Sequence, residues 1–175
     1  MTTTSTRPGA VAQAQHQSDG PLGHTTTPKA PDHEDARLSG DAPVAGPRPI
    51  SLLVYSHDAQ TRGKVRTAIG KRLASDLPPV QWQECATPAA VISAVDSGAF
   101  DVLVLDGEAA PAGGMGMCRQ LKDEIFECPP VLVLTGRPQD AWLATWSRAD
   151  AAVPHPLDPR ALAEAITVLA RRRRG

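Results

Sequence analysis

One carboxylate stands out for chemistry. Asp106 closes the continuous apolar run Val102-Leu-Val-Leu105, and open parallel sheets carry their reactive groups at the carboxyl ends of such strands. Other reactive side chains are scattered. Cys85, Cys118 and Cys128 form neither a CxxC pair nor a metal-ligand cluster. An odd thiol count without a secretory signal points to a reducing compartment. His16, His24 and His33 have no metal-like spacing and read as solvated. Gly113-Gly-Met-Gly116 lacks a lysine or a GxGxxG frame, so it is not a nucleotide loop. Ser56-His-Asp-Ala-Gln-Thr61 is not a phosphate cradle, which argues against a flavin. No metal and no organic cofactor is expected.

The elements that must position Asp106 follow from length and patterning. A chain of 175 residues has room for one domain and an appendage. Lys and Arg number 18 against 19 for Asp and Glu, so no global charge points to nucleic acid or a membrane surface. No apolar run approaches the roughly 20 residues needed to span a bilayer, and the N-terminus lacks the apolar core of a signal peptide. A soluble cytoplasmic protein is expected.

Residues 1–49 differ from the rest. They hold seven prolines, two threonine triplets and no aromatic residue. Val11, Leu22 and Leu38 show no periodicity. Such a segment cannot bury enough apolar surface to offset about 1–2 kcal/mol per residue of backbone ordering. It is expected to be an extended or disordered tail that orders only by draping over a partner.

From Ile50 onward, strand and helix patterns alternate. Ile50–Tyr55 is a short buried strand. Asp58 caps a helix with Val65, Ala68, Ile69 and Leu73 on one face. Val80–Cys85 alternates as an outer strand would. Pro88 opens a second helix with Val91, Ile92 and Val95 inward and Gly98 as its stop. Residues 101–106 form the third strand, whose unbroken apolar run implies cover on both faces. Met115–Ile125 is a third helix, with Cys118, Leu121 and Ile125 facing in. Val131–Leu134 is a fourth strand ending at Thr135-Gly136, and Asp140–Arg148 a short helix. Ala151–Val153 is a fifth strand, and Asp158-Pro159 caps a last helix with Leu162, Ala165, Ile166 and Leu169 inward. Five strands alternating with five helices predict an α/β fold over 50–175, a doubly wound five-stranded parallel sheet.

That alternation, with an aspartate ending the third strand, resembles a response-regulator receiver domain, which implies strand order 2-1-3-4-5. Val102-Leu-Val-Leu-Asp106 followed by Pro111 and Gly113-Gly114 is similar to the family's phospho-acceptor strand and loop. Val131-Leu-Val-Leu-Thr135 is similar to its fourth strand, ending on a hydroxyl residue. Ala149-Asp-Ala-Ala-Val-Pro-His155-Pro156 resembles the fifth strand and its lysine–proline corner. The resemblance implies phospho-acceptor-like roles for Asp106, Thr135 and His155, and a cis bond between His155 and Pro156.

The departures from the pattern point away from phosphorylation. Where the family places two metal-binding carboxylates, this chain has Ser56 and His57, with Asp58 one residue late. Mg²⁺ prefers hard oxygen ligands in a tight octahedron. The family's lysine aligns with His155, and its aromatic switch with Ala152. Phosphoryl transfer needs clustered positive charge on the reacting oxygens. Asp106 is therefore expected to be a retained strand-end residue, bonded to Thr135 or His57, in a pocket that is not catalytic.

Two surface features carry the expected contacts. Trp142 and Trp146, four apart on one helix, share a face. They serve either as core or as a docking face, since exposed aromatics favour protein interfaces. Arg171, Arg172, Arg173 and Arg174 end the last helix, where cations complement its dipole. They read as solvated, with lipid or nucleic-acid phosphates as the alternative. No DNA-reading domain follows, so neither a transcription factor nor a nucleic-acid partner is expected.

Val54-Tyr-Ser-His-Asp58, Trp142-Leu-Ala-Thr-Trp146 and Pro154-His-Pro156 resemble the orphan actinobacterial receivers associated with the proton-pumping NADH:quinone oxidoreductase (respiratory complex I). That resemblance implies a non-enzymatic accessory subunit on the cytoplasmic side, its tail wrapping the partner and the membrane reached only through that partner. The alternative is a single-domain response regulator phosphorylated at Asp106.

Overall fold

The computed structural model describes residues 46–175. The expectations for residues 1–45, including the three histidines and the draped tail, lie outside the described residues. Five parallel strands run β1 (Ile50–Tyr55), β2 (Val80–Cys85), β3 (Val102–Asp106), β4 (Val131–Thr135) and β5 (Ala151–Pro154). The helices are α1 (Ala59–Ile69), α2 (Pro88–Ser97), α3 (Gly114–Glu124), α4 (Ala141–Trp146) and α5 (Pro159–Arg174). The strand order is β2-β1-β3-β4-β5, as the receiver pattern implies.

Both faces of the central strands are covered, which is why their sequences are unbroken apolar runs. On one face Leu52, Val54, Val104, Leu132 and Leu134 meet Val65 and Ile69 of α1 and Leu162, Ile166 and Leu169 of α5. On the other, Leu53, Leu103, Leu105, Val131 and Val133 meet Val91 of α2 and Met117, Cys118 and Leu121 of α3. Each fully buried aliphatic side chain contributes about 1.5–3 kcal/mol. β2 is one of the two edge strands, and Gln81, Gln83 and Glu84 on it are exposed. Among the described residues, no helix is long and apolar enough to cross a membrane.

Capping chemistry sets the starts of α1, α2 and α5. Asp58 accepts from the Gln60 and Thr61 N–H groups, Thr87 from Ala90 N–H, and Asp158 from Ala161 N–H. Several ends differ from expectation. α1 stops at Ile69 because Gly70, at φ 66°, donates back to Arg66 and turns the chain. Leu73 therefore lies beyond the helix, though it still packs on the core. α4 is shorter than expected and follows a 3₁₀ turn over Pro138–Asp140. Asp101 precedes β3 rather than opening it.

Asp101 has a different task. Its side chain, 1% exposed, takes bidentate hydrogen bonds from Arg174 at 3.0 Å each, one from Arg48 at 2.8 Å and the Ser51 N–H at 2.8 Å. Arg174 also donates to the carbonyls of Arg48 and Pro49. This corrects two expectations. Residues 48–49 belong to the folded unit rather than to the tail, and the arginine run is not uniformly solvated, since Arg171 also pairs with Asp76.

Burial alone would raise the Asp101 carboxyl pKa. Hydrogen bonds from Arg174 and Ser51 and the charges of both arginines outweigh it and hold the group below the ordinary carboxylate range. A depressed folded-state pKa stabilises above the unfolded value of about 3.9 and loses that contribution as pH falls through the folded one. Asp101→Asn is expected to cost about 2–4 kcal/mol at neutral pH. Thermal denaturation should show the wild-type advantage at pH 7 and its collapse below about pH 4.

Candidate functional site

The site forms where β1, β3 and β4 end side by side. Asp106 is 3% exposed, so its carboxylate must find donors. The Ser56 hydroxyl, fully buried at the end of β1, donates to Oδ2 at 2.7 Å, and the Glu108 N–H donates to Oδ1 at 3.0 Å. Ser56 Oγ in turn accepts the Asp58 N–H at 3.1 Å. Among the described residues Asp106 bonds neither Thr135 nor His57, against expectation. The Ser56 hydroxyl supplies the proton that a buried carboxylate needs.

His57 makes a separate link. Its Nδ1 accepts the Ala110 N–H at 3.1 Å, which puts the ring proton on Nε2. The β1–α1 loop is thus tied to the β3–α3 loop by two hydrogen bonds, Ser56–Asp106 and Ala110–His57. Tyr55 adds a third tie from beneath, donating its hydroxyl to Ala112 O at 2.6 Å. Burial, and then the Asp106 carboxylate, raise the Tyr55 phenol pKa and keep it a donor. The loop can close this tightly because Gly114 has no side chain: a Cβ there would meet the Asp106 carbonyl at 2.7 Å.

A hollow of about 430 Å³ opens above Asp106, lined by His57, Asp58, Thr61, Glu108, Gly136 and His155. Its carboxylates do not converge on a cation. Asp58 turns both oxygens to the first turn of α1, accepting the Gln60 N–H on one and the Thr61 N–H and hydroxyl on the other. The Gln60 and Thr61 donors hold its carboxyl below the ordinary range. Glu108 lies over Gly136, where a Cβ would meet its Oε1 at 2.6 Å. No group of three potential ligands comes together among the described residues. With Ser56 and His57 at the two acidic positions and Asp58 held by its helix cap, this donor set does not match the hard-oxygen ligands that the family's Mg²⁺ takes.

The remaining expected residues are spread around the domain. Thr135, 1% exposed, ends β4 and accepts the His155 N–H on its carbonyl. His155 is half-buried beside the hollow, and its bond to Pro156 is cis, as is Ala110–Pro111. Trp142 and Trp146 are 66% and 55% exposed, so the two rings do not serve as core. Arg172 and Arg173 are exposed at the far end of α5. The sequence assigns no site role to Tyr55, which stands there only within Val54-Tyr-Ser-His-Asp58, or to Glu108. Tyr55 read as one more strand residue, while the position of Glu108, two residues after Asp106, was a usable signal.

Comparison with known proteins agrees with the fold. No protein-family model matches the chain. An uncharacterized response regulatory protein of Mycobacterium tuberculosis, found in both strain H37Rv and strain CDC 1551, is 56% identical over 122 residues, covering 70% of this chain and 92% of the relative. The receiver domain of the Francisella response regulator 1452 superposes with a TM-score of 0.59 at 15% identity, over 70% of this chain and 98% of that one. A CheY-like receiver domain protein of Methanospirillum hungatei gives 0.58 at 15% identity, over 73% and 98%. With strand order, strand-end aspartate and a close relative in agreement, the chain belongs to the response-regulator receiver-domain family.

Proposed function

We propose that this receiver works as a protein-binding accessory module rather than as a phosphoryl acceptor, and that its partner is the proton-pumping NADH:quinone oxidoreductase (respiratory complex I) at the cytoplasmic face of the membrane. The Ser56–Asp106 hydrogen bond carries the first half of this reading. A hydroxyl occupies the acceptor oxygen where the family needs a cation. With Asp58 committed to its helix cap and His155 in place of the lysine, little positive charge remains to stabilise a transferring phosphoryl group.

The choice of partner rests on the resemblance of Val54-Tyr-Ser-His-Asp58, Trp142-Leu-Ala-Thr-Trp146 and Pro154-His-Pro156 to complex I-associated receivers. The two exposed tryptophans on α4 support a docking role, since rigid aromatic anchors dominate interface energetics. One observation favours the phosphorylatable alternative: Asp106 and Thr135 still end adjacent strands beside an open hollow.

Acetyl phosphate or beryllofluoride with Mg²⁺ is expected to leave the wild-type mass unchanged. The triple change Ser56→Asp, His57→Asp and His155→Lys is expected to gain an Mg²⁺-dependent adduct that Asp106→Ala removes. A stable wild-type adduct at Asp106 would restore the acceptor reading. In a mild-detergent pulldown from membranes, the full chain should recover subunits of the NADH:quinone oxidoreductase. Trp142→Ser with Trp146→Ser, or removal of residues 1–45, should lower that recovery without unfolding the domain. Recovery of the protein only in small soluble fractions would count against the respiratory partner.

A further inference from the structure

Helix α1 and the turn after it carry Arg62, Lys64, Arg66, Lys71 and Arg72, with Asp58 at the cap as their only acid. Three of these cations are engaged within the fold. Arg62 and Arg66 hold Glu84 at 3.1 and 2.6 Å, and Arg72 donates to the Leu77 carbonyl at 2.7 Å. Lys64 and Lys71 are exposed, and their ammonium groups make no ion pair or hydrogen bond among the described residues. Two hollows flank the helix. One, of about 1000 Å³, has Lys64, Ala68, Pro156 and Leu157 on its walls. The other, of about 470 Å³, has Arg66, Lys71, Val80 and Trp82. Gly63 and Thr67 line both, so the hollows meet across them, and no acid lines either. A Cβ at Gly63 would meet nothing within 4 Å, so packing inside the fold does not demand a glycine there. Glycine costs about 1 kcal/mol in a helix interior, and here it keeps the ridge between the hollows low. Such a surface fits an extended acidic segment with small or proline side chains.

The chain carries such a segment. Three of the five acids in residues 1–49 fall within Asp32-His-Glu34-Asp35, directly after Pro28-Lys-Ala-Pro31. The chain also enters the fold at the right place. The Ile50 N–H bonds the Pro79 carbonyl and the Val80 N–H bonds the Lys71 carbonyl, each at 2.9 Å, so β1 begins beside Lys71. Residues 36–45 reach up to about 33 Å when extended, twice the roughly 16 Å length of α1. Followed back from Ile50, the chain comes to Lys71 before Lys64, which sets Asp35 against the first and Asp32 against the second. Those two acids lie about 10 Å apart in an extended chain, close to the roughly 8 Å rise of α1 from Lys64 to Ile69. Lys29 and Arg37 bracket the run and confine the contact to its three acids. Exposed ion pairs are individually weak, but a tethered segment is present at millimolar effective concentration.

We propose that residues 32–35 fold back onto the outer face of α1, with their acids on Lys64 and Lys71 and Pro31 against the apolar wall of the larger hollow. The free protein then covers α1 with its own tail, and another surface must compete for that tail to draw it away. The contact is independent of which protein the tail meets. The test is NMR on the full chain, following the amides of Gly63, Thr67 and Gly70 at low and high salt. All three should move in the wild type as salt releases the acids. Asp32→Lys with Glu34→Lys and Asp35→Lys should shrink that movement about fivefold, at an unchanged melting temperature. Adding Lys64→Glu and Lys71→Glu to the same chain should restore it. A synthetic peptide of residues 26–38, at millimolar concentration, should shift the same amides of the tail-reversed chain and leave those of Trp142 and Trp146 fixed. Salt-induced movement unaltered by tail reversal would overturn the proposal. So would shifts that grow with protein concentration, which would mean contact between copies, or a peptide that moves the α4 signals instead.

Discussion

A carboxylate withdrawn from water has to be given donors, and the loops around Asp106 are arranged by the way it obtains them. In a metal-dependent receiver a cation would meet that need. Here the Ser56 hydroxyl and the Glu108 N–H meet it instead. The neighbouring departures then fall into line. His57 accepts from Ala110 and links the β1–α1 and β3–α3 loops, and Asp58 caps α1. The result is a hydrogen-bonded joint between the β1–α1 and β3–α3 loops.

The two ends of the sheet divide the remaining work. At the carboxyl ends, Ser56, His57, Tyr55 and Gly114 draw the loops over Asp106. At the amino ends, Asp101 gathers Arg48 and Arg174 and fixes the chain where it enters β1. Arginines at the end of α5 oppose the negative end of its dipole, and their helical spacing splits them. Arg171 and Arg174 turn toward acids of the domain, and Arg172 and Arg173 turn outward.

Much of the fold was legible because its signals are local. The apolar runs 52–55, 102–105 and 131–134 reflect helices on both faces, and the alternation of β2 reflects an edge. Asp58, Thr87 with Pro88, and Asp158 with Pro159 mark helix starts through short-range hydrogen bonds. What was not legible depends on contacts distant in sequence. Nothing in Arg48, Asp101 or Arg174 read singly shows that they meet. Leu73 kept the helical spacing, so only the φ of Gly70 removes it from α1. At the site, the loss of the two acidic positions was readable, but the reuse of Ser56 as a donor was not, because a hydroxyl's partner depends on the register between β1 and β3. The exposure of Trp142, Trp146 and Phe126 likewise depends on how short helices and turns sit on the core.

The central claim is that hydrogen bonds from Ser56 and Glu108 satisfy the Asp106 carboxylate in place of a divalent cation. An NMR titration with millimolar Mg²⁺, following the backbone amides of Glu108 and Ala110, tests it most directly. The account predicts that both signals stay fixed. Saturable shifts in both, abolished by Asp106→Asn, would show an ion bound at Asp106 and contradict it.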